Sequence, residues 1–293
     1  MRRIAARCPS LFLPCTLLAW SGAAAAQEIV HFPSHEDNGR RAPPTMLDGY
    51  LFRPDAAGPL PAIVGMHGCN GMFTRSGAIR PGLADWAARL SRDGYIVLLV
   101  DSLGPRQHGE MCSVGGFDLS LYRKRPRDAY GALAYLQAQQ FVRGDRIGLI
   151  GWSQGGAATL YAIADRNRGR PAALSHDFRA AIAFYPGGCR ADRHPAGWTT
   201  HIPLLALLGA ADVWTPTPLC TAFLNTAIAQ GSPITMQVYP GAYHAFDVPN
   251  LPRRELPAYR TRQGVVPIVG TDPAARADAL QLVPAFLTRY LGD

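Results

Sequence analysis

Two hydrophobic patterns alternate along the chain. Short runs that are apolar throughout suit strands buried on both faces of a parallel sheet. Longer stretches with apolar residues every three or four positions suit amphipathic helices. Tyr95–Val100 is the clearest run. Pro61–Met66, residues 146–150, Phe178–Tyr185, Leu204–Leu208 and Ile234–Tyr239 follow the same pattern, and Met46–Arg53 reads as an early strand closed by Pro54. Helical spacing covers Gly82–Arg92, with Leu83, Trp86, Ala87 and Leu90 on one side and Gly94 at the end. It returns at Tyr130–Gln140, with a start that reaches back toward Leu119, and at Ala157–Ala164, Thr217–Ala229 and Ala274–Tyr290. This alternation, without internal repeat or dividing linker, predicts the α/β class. We expect a single domain over residues 27–293 with a mainly parallel, doubly wound sheet and helices on both faces. Residues 27–44 read as an extended lead-in and 102–117 as a glycine-rich loop. Residues 247–272, rich in Pro, Arg and Gly, read as a surface excursion beside the functional end.

One junction carries chemistry. The strand at 146–150 runs into Gly151-Trp152-Ser153-Gln154-Gly155-Gly156, and a helix follows. Strand, tight turn and helix around Gly-x-Ser-x-Gly is the setting of a nucleophile elbow, in which small neighbours make room for a serine with a strained backbone. A glycine-rich turn with an incidental serine is the plainer reading of the same residues. Serine is a weak nucleophile at neutral pH and needs a base, which in turn needs an orienting group. His244 follows the last strand by a few residues, and Asp212 follows the strand before it. The order Ser153, Asp212, His244 is the one this architecture requires. Asp212 also suits a cap for the segment after it, and His244 an ordinary loop histidine. His108, His194 and His201 are poorer bases, Asp101 precedes the serine, and Asp247 is the reserve acid.

Acyl transfer also requires amide donors for the developing oxyanion. The residue after the nucleophile, Gln154, offers one; the loop His67-Gly68-Cys69-Asn70-Gly71 offers the other, through the Cys69 amide. Trp152, Tyr185, Trp214 and Phe246 adjoin these loops and suit either a substrate pocket or core packing. Arg106 suits a substrate carboxylate or plain solvation.

Composition alters this picture in two ways. Residues 1–26 read as a secretory signal, with Arg2, Arg3 and Arg7, an apolar Leu11–Trp20 centre and small residues at Ala23–Ala26, so cleavage is expected before Gln27. An exported protein, periplasmic or secreted, without a stable membrane anchor follows. Four cysteines then remain, Cys69, Cys112, Cys189 and Cys220. Of their three pairings we favour Cys69–Cys112 and Cys189–Cys220, each joining loops after neighbouring strands. No cysteine or histidine spacing suggests a metal. The formal charge of +8 comes from scattered arginines without the aromatic interleaving of a nucleic-acid surface, and leans only toward anionic substrates.

His67-Gly68-Cys69, the Gly-Trp-Ser-Gln-Gly-Gly elbow, Leu208-Gly209-Ala210-Ala211-Asp212 and Tyr243-His244-Ala245-Phe246 together resemble the dienelactone hydrolase family of α/β-hydrolases, over about residues 45–290. The resemblance implies about eight strands, no cofactor, and a triad of Ser153, Asp212 and His244. It departs at the nucleophile, which is cysteine in the founding enzymes, and in its export. The expectation is a monomeric serine hydrolase that acts on a small carboxylic ester or lactone. A prolyl-oligopeptidase-like peptidase, for which 293 residues leave little space, and a non-catalytic exported binding protein are the alternatives.

Overall fold

The computed structural model describes residues 26–36, 42–167, 169–194 and 196–292. The expected signal segment, apart from Ala26, lies outside the described residues. Eight strands form one sheet in the order β1-β2-β4-β3-β5-β6-β7-β8. They are β1 (Ala26–Pro33), β2 (Met46–Arg53), β3 (Leu60–Met66), β4 (Ile96–Asp101), β5 (Val142–Trp152), β6 (Ala180–Phe184), β7 (Leu204–Gly209) and β8 (Ile234–Tyr239). β1 and β2 pair antiparallel, as do β2 and β4, and every pairing from β4 through β3 to β8 is parallel. Among the described residues α1 (Pro81–Arg92), α2 (Leu119–Gln137), α3 (Gln154–Ala162) and α4 (Thr217–Ala229) connect strands of this sheet, and α5 (Pro273–Leu291) follows its last strand.

Alternate side chains of the central strands feed two separate cores, as a pleated strand buried on both faces requires. Ala62, Val64, Met66, Ile96, Leu98 and Val100 join the core under α2, α3 and α4. Ile63, Val97 and Leu99 join the one under α1 and α5, with Trp86, Leu90, Val283 and Leu287. β4 and β5 lie on opposite sides of β3, so the chain leaving β3 and the chain leaving β5 turn to opposite faces. A crevice opens beyond the carboxyl ends of strands at such a reversal.

Two stretches differ from expectation. The lead-in at 27–44 contains β1, where only Val30 and Phe32 point inward while Ile29 and His31 are exposed. That alternation suits an antiparallel edge strand and is too short to separate from extended coil by pattern alone. The 247–272 excursion carries a small hairpin of β9 (Arg254–Glu255) and β10 (Ile268–Val269). Both expected disulfides are present: Cys69–Cys112 ties the loops after β3 and β4, and Cys189–Cys220 ties the loop after β6 to α4. Bridges spanning 43 and 31 residues each remove loop-closure entropy of the unfolded chain worth roughly 4 kcal/mol. Among the described residues no helix is long and apolar enough to cross a membrane.

Glu36 secures the start of the sheet. Its carboxylate accepts from the Thr45 amide at 2.8 Å and lies 3.0 Å from Lys124 Nζ and 3.4 Å from Arg106 Nη2. Burial pushes its pKa up, but the bonds from Thr45 and Lys124 and the charge of Arg106 outweigh burial and hold it at about 2, below the usual 4.5. A depressed carboxyl contributes stability above its unfolded pKa and loses it as pH falls toward the folded one. We expect urea midpoints to fall between pH 5 and pH 3 by clearly less in Glu36→Gln than in the parent chain.

Candidate active site

Ser153 sits between β5 and α3 with φ 55° and ψ −113°. An L-residue there is strained, and the surroundings must enforce it. The Ser153 amide donates to Phe184 O at 2.9 Å, and its carbonyl accepts from Ala157 N and Gly187 N at 2.9 and 3.0 Å. Space is as decisive as bonding. A β-carbon on Gly151 would lie 2.2 Å from Gly155 O, and one on Gly155 would lie 2.0 Å from Met66 O. Only glycine lets the first turn of α3 lie against the end of β3.

His244 and Asp212 reach the same end of the sheet from the loops after β8 and β7. His244 Nδ1 is 2.7 Å from Asp212 Oδ2. That bond keeps the proton on Nδ1 and leaves Nε2 with its lone pair. The imidazole is buried, with the rings of Tyr185 and Trp214 at 4.4 and 4.8 Å. The two oxygens of Asp212 have different partners. Its Oδ1 accepts from the amides of Trp214 and Thr215, capping the turn, while Oδ2 meets His244 and the Thr215 hydroxyl. Burial pushes the Asp212 pKa up, but His244 and the bonds from Thr215 carry it below the usual carboxylate value.

Ser153 and His244 line one cavity of about 420 Å³, together with Cys69, Trp152, Tyr185 and Trp214. The excursion forms much of its outer wall through Val248–Leu251, Arg254, Leu256, Tyr259 and Val269. Tyr259 stacks on Trp214 at 5.8 Å. Two expected pocket residues stand elsewhere. Phe246 is fully buried against Phe184, Tyr185 and Tyr239 and serves the core. Arg106 faces away from the cavity, because its guanidinium binds Asp128 through two nitrogens at 2.9 and 2.8 Å.

The two expected oxyanion amides belong to peptide units held by their carbonyls. Ser153 O, on the peptide that carries Gln154 N–H, has the two partners given above. Gly68 O, on the peptide that carries Cys69 N–H, is 2.7 Å from His67 Nδ1 and 3.3 Å from Gly71 N. A planar trans peptide with its carbonyl pinned has its N–H aimed the opposite way. Ser102 N–H donates to His67 Nε2, so the proton of this imidazole sits on Nδ1 and points to Gly68 O. Burial, then the charge of Arg125, drives the His67 pKa well below its usual value and keeps the ring neutral.

The three poorer bases are engaged elsewhere: His108 with Gly116 O, His194 with Gly188 O, and His201 with Asp165. Asp101 accepts the amides of Leu103 and Gly104 and faces His67 at 3.7 Å. Asp247 is no second partner for His244. Its carboxylate accepts from Trp86 Nε1 at 2.7 Å, Trp152 Nε1 at 3.0 Å and Tyr185 OH at 2.7 Å. Sequence reasoning passed over Thr215, Arg80 and Arg125. Arg80 holds the carbonyls of Asn70 and Gly71. Thr215 stands three residues beyond Asp212, an Asx-turn spacing that offered a signal. Among the described residues no His, Cys, Asp or Glu cluster is suited to a metal ion.

Residues 47–291 match the model of the dienelactone hydrolase family. A Bradyrhizobium protein named a probable 2-oxo-3-(5-oxofuran-2-ylidene)propanoate lactonase is 26% identical over 209 residues, 67% of this chain and 77% of its own. Mouse dipeptidyl peptidase 8 is 26% identical over 179 residues, which are 53% of this chain and 20% of that protein. The dienelactone hydrolase-like promiscuous phosphotriesterase P91 from metagenomic libraries superposes with a TM-score of 0.64 at 19% identity, covering 90% of this chain and 99% of its own. Thermogutta terrifontis esterase 2 with propionate bound superposes with a TM-score of 0.57 at 16% identity, covering 91% and 94%. At such identities the structural likeness establishes the fold alone.

Removing the Asp247 carboxylate would strand three buried donors. Asp247→Ala is therefore expected to cost about 3–5 kcal/mol in urea-induced unfolding, with Asp247→Asn costing less.

Proposed function

The chain belongs to the dienelactone hydrolase family, and from that membership and the site's geometry we propose that it cleaves a carboxylic ester or lactone through an acyl-enzyme on Ser153. Ser153 Oγ attacks the carbonyl carbon as His244 Nε2 takes its proton, and Asp212 holds the imidazole and stabilises its charged form. The Gln154 and Cys69 amides receive the oxyanion. Collapse of the tetrahedral adduct breaks the bond to the alkoxy oxygen, which leaves with the proton from His244. Water, deprotonated by the same nitrogen, then attacks the acyl carbon and frees the acid and Ser153. The observation that carries this reading is the 2.7 Å bond from His244 to Asp212, behind a cavity His244 shares with the strained Ser153.

The cavity also favours an ester bearing negative charge. Arg80 and Arg254 both line it, and among the described residues Arg80 bonds only to carbonyl oxygens. The relative from Bradyrhizobium is named for a propanoate lactone. The two disulfides are of the kind formed outside a reducing cytosol and support export, with the signal removed near Ala26.

Ser153→Ala is expected to lower kcat on p-nitrophenyl esters by at least about 10³-fold, and a fluorophosphonate probe should add to Ser153, read by peptide mass spectrometry. Activity retained in Ser153→Ala would end the proposal. Arg254→Gln is expected to raise KM for a carboxylate-bearing ester by about tenfold, while KM for the neutral ester of the same acyl group stays within twofold.

A further inference from the structure

Arg125 is one of the largest fully buried side chains, yet the mechanism above gives it no part. It stands on α2 and reaches the elbow from beneath. Nη1 donates to Gln154 Oε1 at 2.7 Å, and Nη2 donates to His67 O. No carboxylate lies within ion-pair distance of it among the described residues. Its Nε has no partner there. Burial is the main cause that lowers its pKa to about 10, so it remains a cation at neutral pH.

The charges of Asp128 and Asp101 favour this cation from a distance, but with no carboxylate in direct contact its burial is costly, and a neutral side chain of similar size would pack with less penalty. The location of this cation gives it a part beyond packing. Gln154 carries one expected oxyanion amide. His67 carries the carbonyl two residues before the other, and its ring pins the Gly68–Cys69 peptide. The planar fork of the guanidinium spans these two segments, which come from different strands and depart to opposite faces. Its charge also repels a second proton on His67, preserving the tautomer that holds Gly68 O.

We propose that Arg125 is the positioning residue of the oxyanion hole, a buried cation that locks the elbow to the loop after β3 and favours negative charge in the space between them. The proposal rests on the reading that Ser153 attacks and that the Gln154 and Cys69 amides receive the oxyanion. Arg125 touches no substrate; it acts through the groups that do. Such a residue matters more to the tetrahedral adduct than to bound substrate.

The test compares the purified parent chain with Arg125→Met and Arg125→Lys. It reads kcat and KM on one p-nitrophenyl ester and Kd for an aryl boronic acid, whose adduct with serine is tetrahedral and anionic. Circular dichroism and urea unfolding establish that each variant is folded. Arg125→Met is expected to lower kcat about 100-fold with KM within threefold, and to raise the boronate Kd by the same factor as the loss in kcat/KM. Arg125→Lys keeps the charge but cannot span both partners, so it should show a loss of about tenfold in both quantities. A folded Arg125→Met with kcat within threefold of the parent overturns the proposal. So does a loss of kcat without a matching loss of boronate affinity, which marks a merely structural arginine. If Arg125→Met does not fold, Arg125→Lys decides: kcat and boronate Kd both within twofold of the parent overturn the proposal. Ser153→Ala, run alongside, separates the two layers. Activity surviving in it defeats the acyl-enzyme reading itself, whereas serine-dependent activity indifferent to position 125 defeats only this inference.

Discussion

The contact between the first turn of α3 and the carbonyls that end β3 is the constraint on which the functional end is built. A single β-carbon at Gly155 would run into Met66 O and His67 O. With hydrogen there, the elbow and the neighbouring loop come together as backbone against backbone. The left-handed Ser153 and the loop beneath the expected oxyanion space follow from that approach. So does a placement of side chains that owes nothing to their proximity in sequence. Strain at one residue persists because the close packing of many others over-determines it.

Around that contact the polar groups are shared out with little redundancy. One oxygen of Asp212 caps a turn while the other holds His244. His67, equally buried, is kept neutral and spends both ring nitrogens on backbone groups. Asp247 gathers two indoles and a phenol from α1, β5 and the end of β6. Three acidic or basic side chains within a few loops thus take separate duties. Hydrogen-bond geometry separates them better than residue type does.

This explains which parts of the molecule were legible from the sequence. The strands buried on both faces announce themselves as unbroken apolar runs, and β4 is buried at every position. The elbow is readable because glycine is forced at fixed offsets from the serine. β1 is harder, since an edge strand with one inward face leaves only Val30 and Phe32 as a pattern. Arg125 hides in the polar stretch Arg123-Lys124-Arg125-Pro126-Arg127-Asp128, which resembles a solvated helix face. Its spacing of four from both Leu121 and Ala129, each buried, was the available clue. Arg106 and Phe246 mislead for the opposite reason. Nearness to a functional loop in sequence does not say toward which side a chain points, and each found a better partner in the interior.

The excursion after His244 returns to its own origin. Gly270 N donates to His244 O, Thr271 N to Leu251 O, and Asp272 N to Phe246 O, closing a neck before α5 begins. The β9–β10 hairpin lies beyond that neck, yet Val269 of β10 bridges back to His244 and Tyr259 stacks on Trp214. The collar that shapes the cavity is therefore fastened to the same loop that carries His244.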